Sequence, residues 1–231
     1  MPKIIVKINL EKDAWNWWDG CNKVSHGVDW KLRIPEHLRV KIIGKSQKEA
    51  FDFLIPFLTN WYQENDVAIK AYLKDLKKIF NKKGNKIFQI MEKVTGQPVY
   101  LDKFYCFITS FPRSPYNFEK GYIWLQIFHK SEIGGNPENQ ITIFIHELLH
   151  FQVHYYYEKE LKKQLTNKQF EYLKEAMTVI INDEFKEIIT VEDKGYEIHK
   201  ELRIKLLAIW RQEKSFDKFI DEGIKIVKEI I

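Results

Sequence analysis

Ile141-Thr142-Ile143-Phe144-Ile145-His146-Glu147-Leu148-Leu149-His150-Phe151 is an apolar run carrying three polar residues in the spacing H-E-x-x-H. On a helix, His146 and His150 lie one turn apart and their imidazoles leave from one face. Two neutral imidazoles so placed can hold one Zn²⁺ at about 2.0–2.1 Å each. Glu147 stands beside them, placed to take a proton from a water polarised by the ion rather than to bind the ion. The flanking sequence supports a helix. Asn136-Pro137-Glu138 reads as its start, with Asn as cap, Pro in the first turn and Glu at the positive end. No Gly or Pro interrupts residues 138–158. Burying His146, Glu147 and His150 without partners is costly, and a metal removes that cost. The competing reading is a chance match in a plain helical protein.

Two histidines do not complete a catalytic zinc site, which takes three protein ligands and one open position. His154 continues the series, but on an unbroken helix it lies two turns from His146, about 12 Å along the axis. No glycine ends the helix after His150, so the third ligand is expected from another helix. The next one offers Glu171, Glu175, Asp183 and Glu184. Glu175 opens an otherwise uncharged run to Asn182, where a carboxylate is buried and in need of a cation. It is the preferred ligand. Glu171, one turn earlier, is an alternative ligand or an orienting group for a histidine, and Glu184 is a third choice.

The 231 residues suffice for a large core, and 45% hydrophobic with 15% aromatic content is that of a globular protein. The chain reads as a single catalytic domain: residues 1–135 form a sheet with a helical insert at about 46–95, and 136–231 a helical metal-binding portion. The net charge of +5 comes from 37 basic and 32 acidic residues. It implies a lysine-rich surface without a nucleic-acid site; Lys70 to Lys86 spaces its lysines as a solvated helix face does. Cys21 and Cys106 are too few and too far apart for a disulfide framework or a Cys-based zinc site. The N-terminus is too interrupted by Lys for a signal peptide, and no apolar run reaches membrane-spanning length. The expectation is a cytoplasmic protein without a membrane partner.

Strands are expected at 3–10, 28–34, 99–111 and 121–129, the last two as a hairpin, with Gly134-Gly135 turning into the motif helix. Trp15, Trp17 and Trp18 cover the edge of the core or line a substrate groove. Ser46 with Glu49 forms a capping box for a helix to about 63, with Pro56 inside it. Helices at 66–81 and 86–94 follow, closed by Gly96 and Pro98. C-terminal helices are expected at 138–158, 167–189, 194–213 and 216–230, with a Thr166–Gln169 capping box and Ser215 as a cap.

His146, Glu147 and His150 with a glutamate from a following helix resemble the gluzincin group of zinc metallopeptidases, over about residues 138–185. Lys174 and Val179 stand where that group's thermolysin-like pattern has Asn and Asp. The resemblance implies an α+β, zincin-like fold: a small mixed N-terminal sheet, an active-site helix and a mostly helical C-terminal half. It also implies a cleft whose edge strand pairs with an extended peptide. Residues 121–129 are the expected edge, with Trp124 against the substrate. Such a mechanism also uses a donor for the oxyanion. Tyr196, His199 and Arg203 fall at i, i+3 and i+7, the face of one helix. Tyr196 and His199 are the catalytic candidates and Arg203 a substrate-binding one, with Tyr155, Tyr156 and Tyr157 as rivals. An ordinary polar stripe is the alternative. The expected function is a zinc-dependent metallopeptidase acting on a peptide or protein. The alternatives are a zinc-dependent hydrolase of small amides and a non-catalytic, metal-stabilised regulatory module.

Overall fold

The aromatic and β-branched runs form strands, but their pairing is not that of a hairpin. The computed structural model describes residues 1–25, 27–129, 132–133 and 136–231, with only the backbone at 128, 129, 132 and 133. The expected Gly134-Gly135 turn lies outside these. The architecture is α+β, mostly helical with a small mixed sheet. Strands β1 (Lys3–Ile8), β2 (Lys103–Thr109), β3 (Tyr116–Asn117) and β4 (Tyr122–Gln126) lie in the order β1-β2-β4-β3. β2 and β4 run parallel, from Tyr105 opposite Tyr122 to Thr109 opposite Gln126. The connection holds Pro112 and Pro115, which deny it a two-residue turn, and it is long enough to return the chain in the same direction. β3, inside that connection, takes the antiparallel place beside β4. β4 is therefore interior and not the expected edge.

The chain divides into two compact units. One comprises Ile4–Asn81 and Lys103–Gln140, and contains most of the sheet. In it Phe104, Cys106, Ile108, Ile123 and Leu125 are fully buried on one sheet face. Helix α1 (Leu10–Asn22) carries the tryptophans. Its Asp13 is fully buried and accepts from Thr109 Oγ1, Ser110 N, Ser110 Oγ and Tyr62 Oη at 2.6–3.0 Å. The strand expected at 28–34 is only Val28–Asp29, paired with Val24–Ser25. Trp30 then turns into the core in a 3₁₀ turn, and its Nε1 donates to Ser25 Oγ. Helix α2 (Gln47–Glu64) begins with both bonds of the Ser46–Glu49 capping box.

The other unit comprises Met1–Lys3, Lys82–Asp102 and Ile141–Ile231. The helices expected at 66–81 and 86–94 are one helix, α3 (Asp66–Thr95). Buried Ile69, Tyr72, Leu76, Phe80, Ile87 and Met91 continue one apolar stripe past Gly84, and a single glycine is tolerated when packing continues. Gly96, at φ +66°, closes it. The region 46–95 is thus shared between the units. In the second unit Phe88 meets Phe144 edge to face, and Gln152 Nε2 donates to Gln97 O and Pro98 O.

The motif helix α4 (Asn139–Gln152) runs through a π turn at Val153–Tyr157 into α5 (Glu158–Gln164). α6 (Asn167–Met177) starts with both bonds of the Thr166–Gln169 capping box. It continues through a 3₁₀ turn and one short helix, ending at Glu184 rather than 189. α7 (Lys200–Glu213) follows a 3₁₀ turn at Glu197–His199, and α8 (Phe216–Ile230) completes the chain. Ser215 occupies the N-cap of α8 without a side-chain capping bond. Among the described residues, no helix is long and apolar enough to cross a membrane.

Candidate metal centre

Asn136 Oδ1 accepts from Glu138 N at 3.0 Å and so opens the motif helix. Fully buried Ile141, Phe144, Ile145 and Leu148 anchor that helix in the core. This fixes the direction of the remaining positions. The His146 and His150 rings lie 4.5 Å apart and nearly perpendicular. α6 brings Glu175 to both. Its Oε1 is 3.2 Å from His150 Nε2, and its Oε2 is 3.6 Å from His146 Nε2. His146, Glu147 and His150 offer ligand atoms within 4.8 Å of one another. Glu147 Oε2 is buried and has no hydrogen-bond partner. Two imidazole nitrogens facing one buried carboxylate fit the donor set of Zn²⁺.

The other carboxylates of the α6 segment are engaged elsewhere. Glu171 is half-exposed and accepts from Lys174 Nζ at 2.6 Å. Glu184 accepts from Trp210 Nε1 at 2.8 Å and pairs with Lys214. Asp183 holds Arg211 through two bonds.

One participant is absent from the sequence reading. Asp193 Oδ1 lies 3.2 Å from His146 Nδ1, on the side of the ring away from Glu175. Arg203 Nη2 donates to Asp193 Oδ2 at 3.1 Å and to Asp193 O at 2.6 Å, while Arg203 Nη1 donates to Thr178 Oγ1 at 2.6 Å. Asn182 closes the loop on both sides: its Nδ2 donates to Asp193 O and its Oδ1 accepts from Asp193 N. The carboxylate against His146 thus comes from this loop and not from the α6 segment. Glu192-Asp193-Lys194 reads as a solvated turn, so composition hides it. The available signal is Gly195. It sits at φ +62°, and a Cβ there would come 2.8 Å from the Arg203 guanidinium.

Three expected roles change. Arg203 is 5% exposed, and its guanidinium is held by Asp193 and Thr178, so it is an anchor and not a substrate contact. His199 is 1% exposed, with its ring edge-on to Tyr172 at 4.4 Å and to Tyr196 at 5.9 Å, so it packs rather than reaches a substrate. The 3₁₀ turn ahead of α7 breaks the helical face assumed for Tyr196, His199 and Arg203, leaving Tyr196 half-buried at its start. Trp124 belongs to the other unit. It is 3% exposed, packs on Trp15 and Phe107, and donates Nε1 to Lys12 O at 2.9 Å. The tyrosines after the motif are also engaged: Tyr155 stacks on Tyr100, Tyr156 Oη donates to Pro98 O, and Tyr157 Oη donates to Thr95 O. His154 pairs with Glu158 at 2.7 Å.

Burial acts on every titratable group of this site. It pushes the Glu147 carboxyl up to about 8, against the pull of His146. It pulls the His150 ring down to about 3, against Glu175, keeping the neutral form that ligates a metal. Burial also lowers His146, but Asp193 and Glu175 outweigh it and hold that ring well above its ordinary value. Burial raises Glu175 and Asp193, yet both end well below the usual carboxylate range. His150 and His146 hold Glu175 down, and His146 and Arg203 hold Asp193 down. The two carboxylates favour a positive charge at His146. A divalent cation at Nε2 answers the same negative charge.

Compared with known proteins, the chain matches no family model, no curated protein and no solved structure.

Proposed function

We propose that this protein is a zinc-dependent metallopeptidase that hydrolyses a peptide bond with Glu147 as general base. The observation that supports this most is the buried carboxylate of Glu175 facing Nε2 of both His146 and His150. These three residues would hold Zn²⁺, which when bound supplies Lewis acidity toward a water and a peptide carbonyl. Glu147 takes the water's proton as the new C–O bond forms. It returns that proton to the amide nitrogen as the C–N bond breaks. Glu147 Oε2 is buried with no hydrogen-bond partner, so no other group competes for the proton it takes and returns. Asp193, 3.2 Å from His146 Nδ1, would accept from that nitrogen and leave Nε2 of the ring for the ion. Arg203 and Asn182 keep Asp193 in place. Tyr196 is the donor retained for the developing oxyanion.

The test is Glu147→Gln in the purified full chain, with bound zinc and peptide hydrolysis measured together. The variant keeps its zinc, and hydrolysis falls about 10²–10⁴-fold. Full hydrolysis by the variant refutes the assignment.

A further inference from the structure

Lys174 is a buried cation that this reaction does not use. Its side chain is 4% exposed. Nζ donates to Glu171 Oε2 at 2.6 Å and stands 3.7 Å from Glu175 Oε1. That same oxygen faces His150 Nε2 at 3.2 Å, while Oε2 faces His146 Nε2. Glu175 therefore presents two inequivalent oxygens: Oε1 has the Lys174 ammonium and His150 beside it, and Oε2 faces His146.

A carboxylate binds a divalent ion through one oxygen or through both. A cation fixed beside Oε1 draws charge to that oxygen and resists a second cation there. We propose that Lys174 is a positioning residue. By its charge 3.7 Å from Glu175 Oε1 it restricts Glu175 to one-oxygen ligation and so keeps a coordination position open for water. Glu171, shared by the same ammonium, limits how strongly Lys174 pulls on Glu175. The inference rests on the metal reading of the site.

The proposal has a signature that a packing role lacks. A side chain that merely supports the site loosens it when removed, and zinc then binds less tightly. Removing Lys174 takes a positive charge away from the ion and frees the second oxygen of Glu175, and both effects tighten zinc. Removing Glu171 leaves the ammonium to act on Glu175 alone and weakens zinc. The two substitutions move affinity in opposite directions.

The experiment titrates the metal-free full chain with Co²⁺, recording its visible absorption, and with Zn²⁺ against a competing chelator. Lys174→Met binds zinc about tenfold more tightly, and its cobalt absorption falls to the weak bands of a five-coordinate site. Lys174→Arg keeps the charge and reproduces the wild-type spectrum and affinity. Glu171→Gln, at a half-exposed position, weakens zinc and decides the matter if Lys174→Met does not fold. Zinc bound no more tightly by Lys174→Met with an unchanged cobalt spectrum overturns the proposal. So does zinc bound as tightly or more tightly by Glu171→Gln. Wild-type protein that takes up no cobalt overturns the metal reading and this inference with it. Uptake by wild type with unresponsive variants overturns the inference alone.

Discussion

Asp193→Asn removes a charge while nearly keeping a shape. The carboxylate meets His146 Nδ1 at 3.2 Å and Arg203 Nη2 at 3.1 Å, at a side chain 10% exposed. Hydrogen bonds to charged groups are worth about 1.5–3 kcal/mol each. The amide retains one acceptor oxygen, and Arg203 keeps its bonds to Asp193 O and Thr178 Oγ1. The expected loss of stability in metal-free protein at pH 7 is therefore about 2–3 kcal/mol rather than the sum of both contacts. Zinc affinity falls about 10–100-fold, because the His146 ring loses the partner that orients it. The stability loss also depends on pH with a fixed sign. The folded state holds Asp193 well below its ordinary value, mainly through His146 and Arg203 acting against burial. Its contribution is complete above the unfolded carboxylate value near 3.9 and declines as pH falls below that. Urea unfolding of both proteins from pH 7 down to pH 3 measures this, with chelator competition for the zinc term. The gap narrows below about pH 4. Equal zinc affinity, or a stability gap that widens on acidification, refutes the reasoning.

Gly195→Ala forces a side chain onto a left-handed backbone and against the Arg203 guanidinium. Stability falls by about 1–3 kcal/mol, read by urea unfolding, and zinc affinity falls with it because Arg203 holds Asp193. Asp13→Ala, in the other unit, leaves Thr109, Ser110 and Tyr62 donors buried without their acceptor, and thermal unfolding registers a loss of about 3–5 kcal/mol.

What could be read in the sequence was local. The motif helix is legible because cap, spacing and apolar period agree over one continuous segment. The burial of Glu175 is legible because that carboxylate enters an otherwise uncharged run. Both capping boxes, at Ser46 and Thr166, are four-residue patterns and appear with both their bonds. Asp193 is not legible, since its bond to His146 spans 47 residues and its neighbours resemble a solvated loop. The burial of Arg203, which grips the same loop, is hidden with it. The direction of β4 against β2 is set by the path of the connection. The side-chain alternation of the two strands is the same for either pairing. The single helix α3 reflects packing that continues past Gly84, against the local preference for a break.

The most direct measurement is diffraction from crystals of the zinc-loaded protein on either side of the zinc absorption edge. One anomalous peak is expected, within about 2.3 Å of His146 Nε2, His150 Nε2 and one oxygen of Glu175. A peak elsewhere, or none between these three side chains, contradicts it.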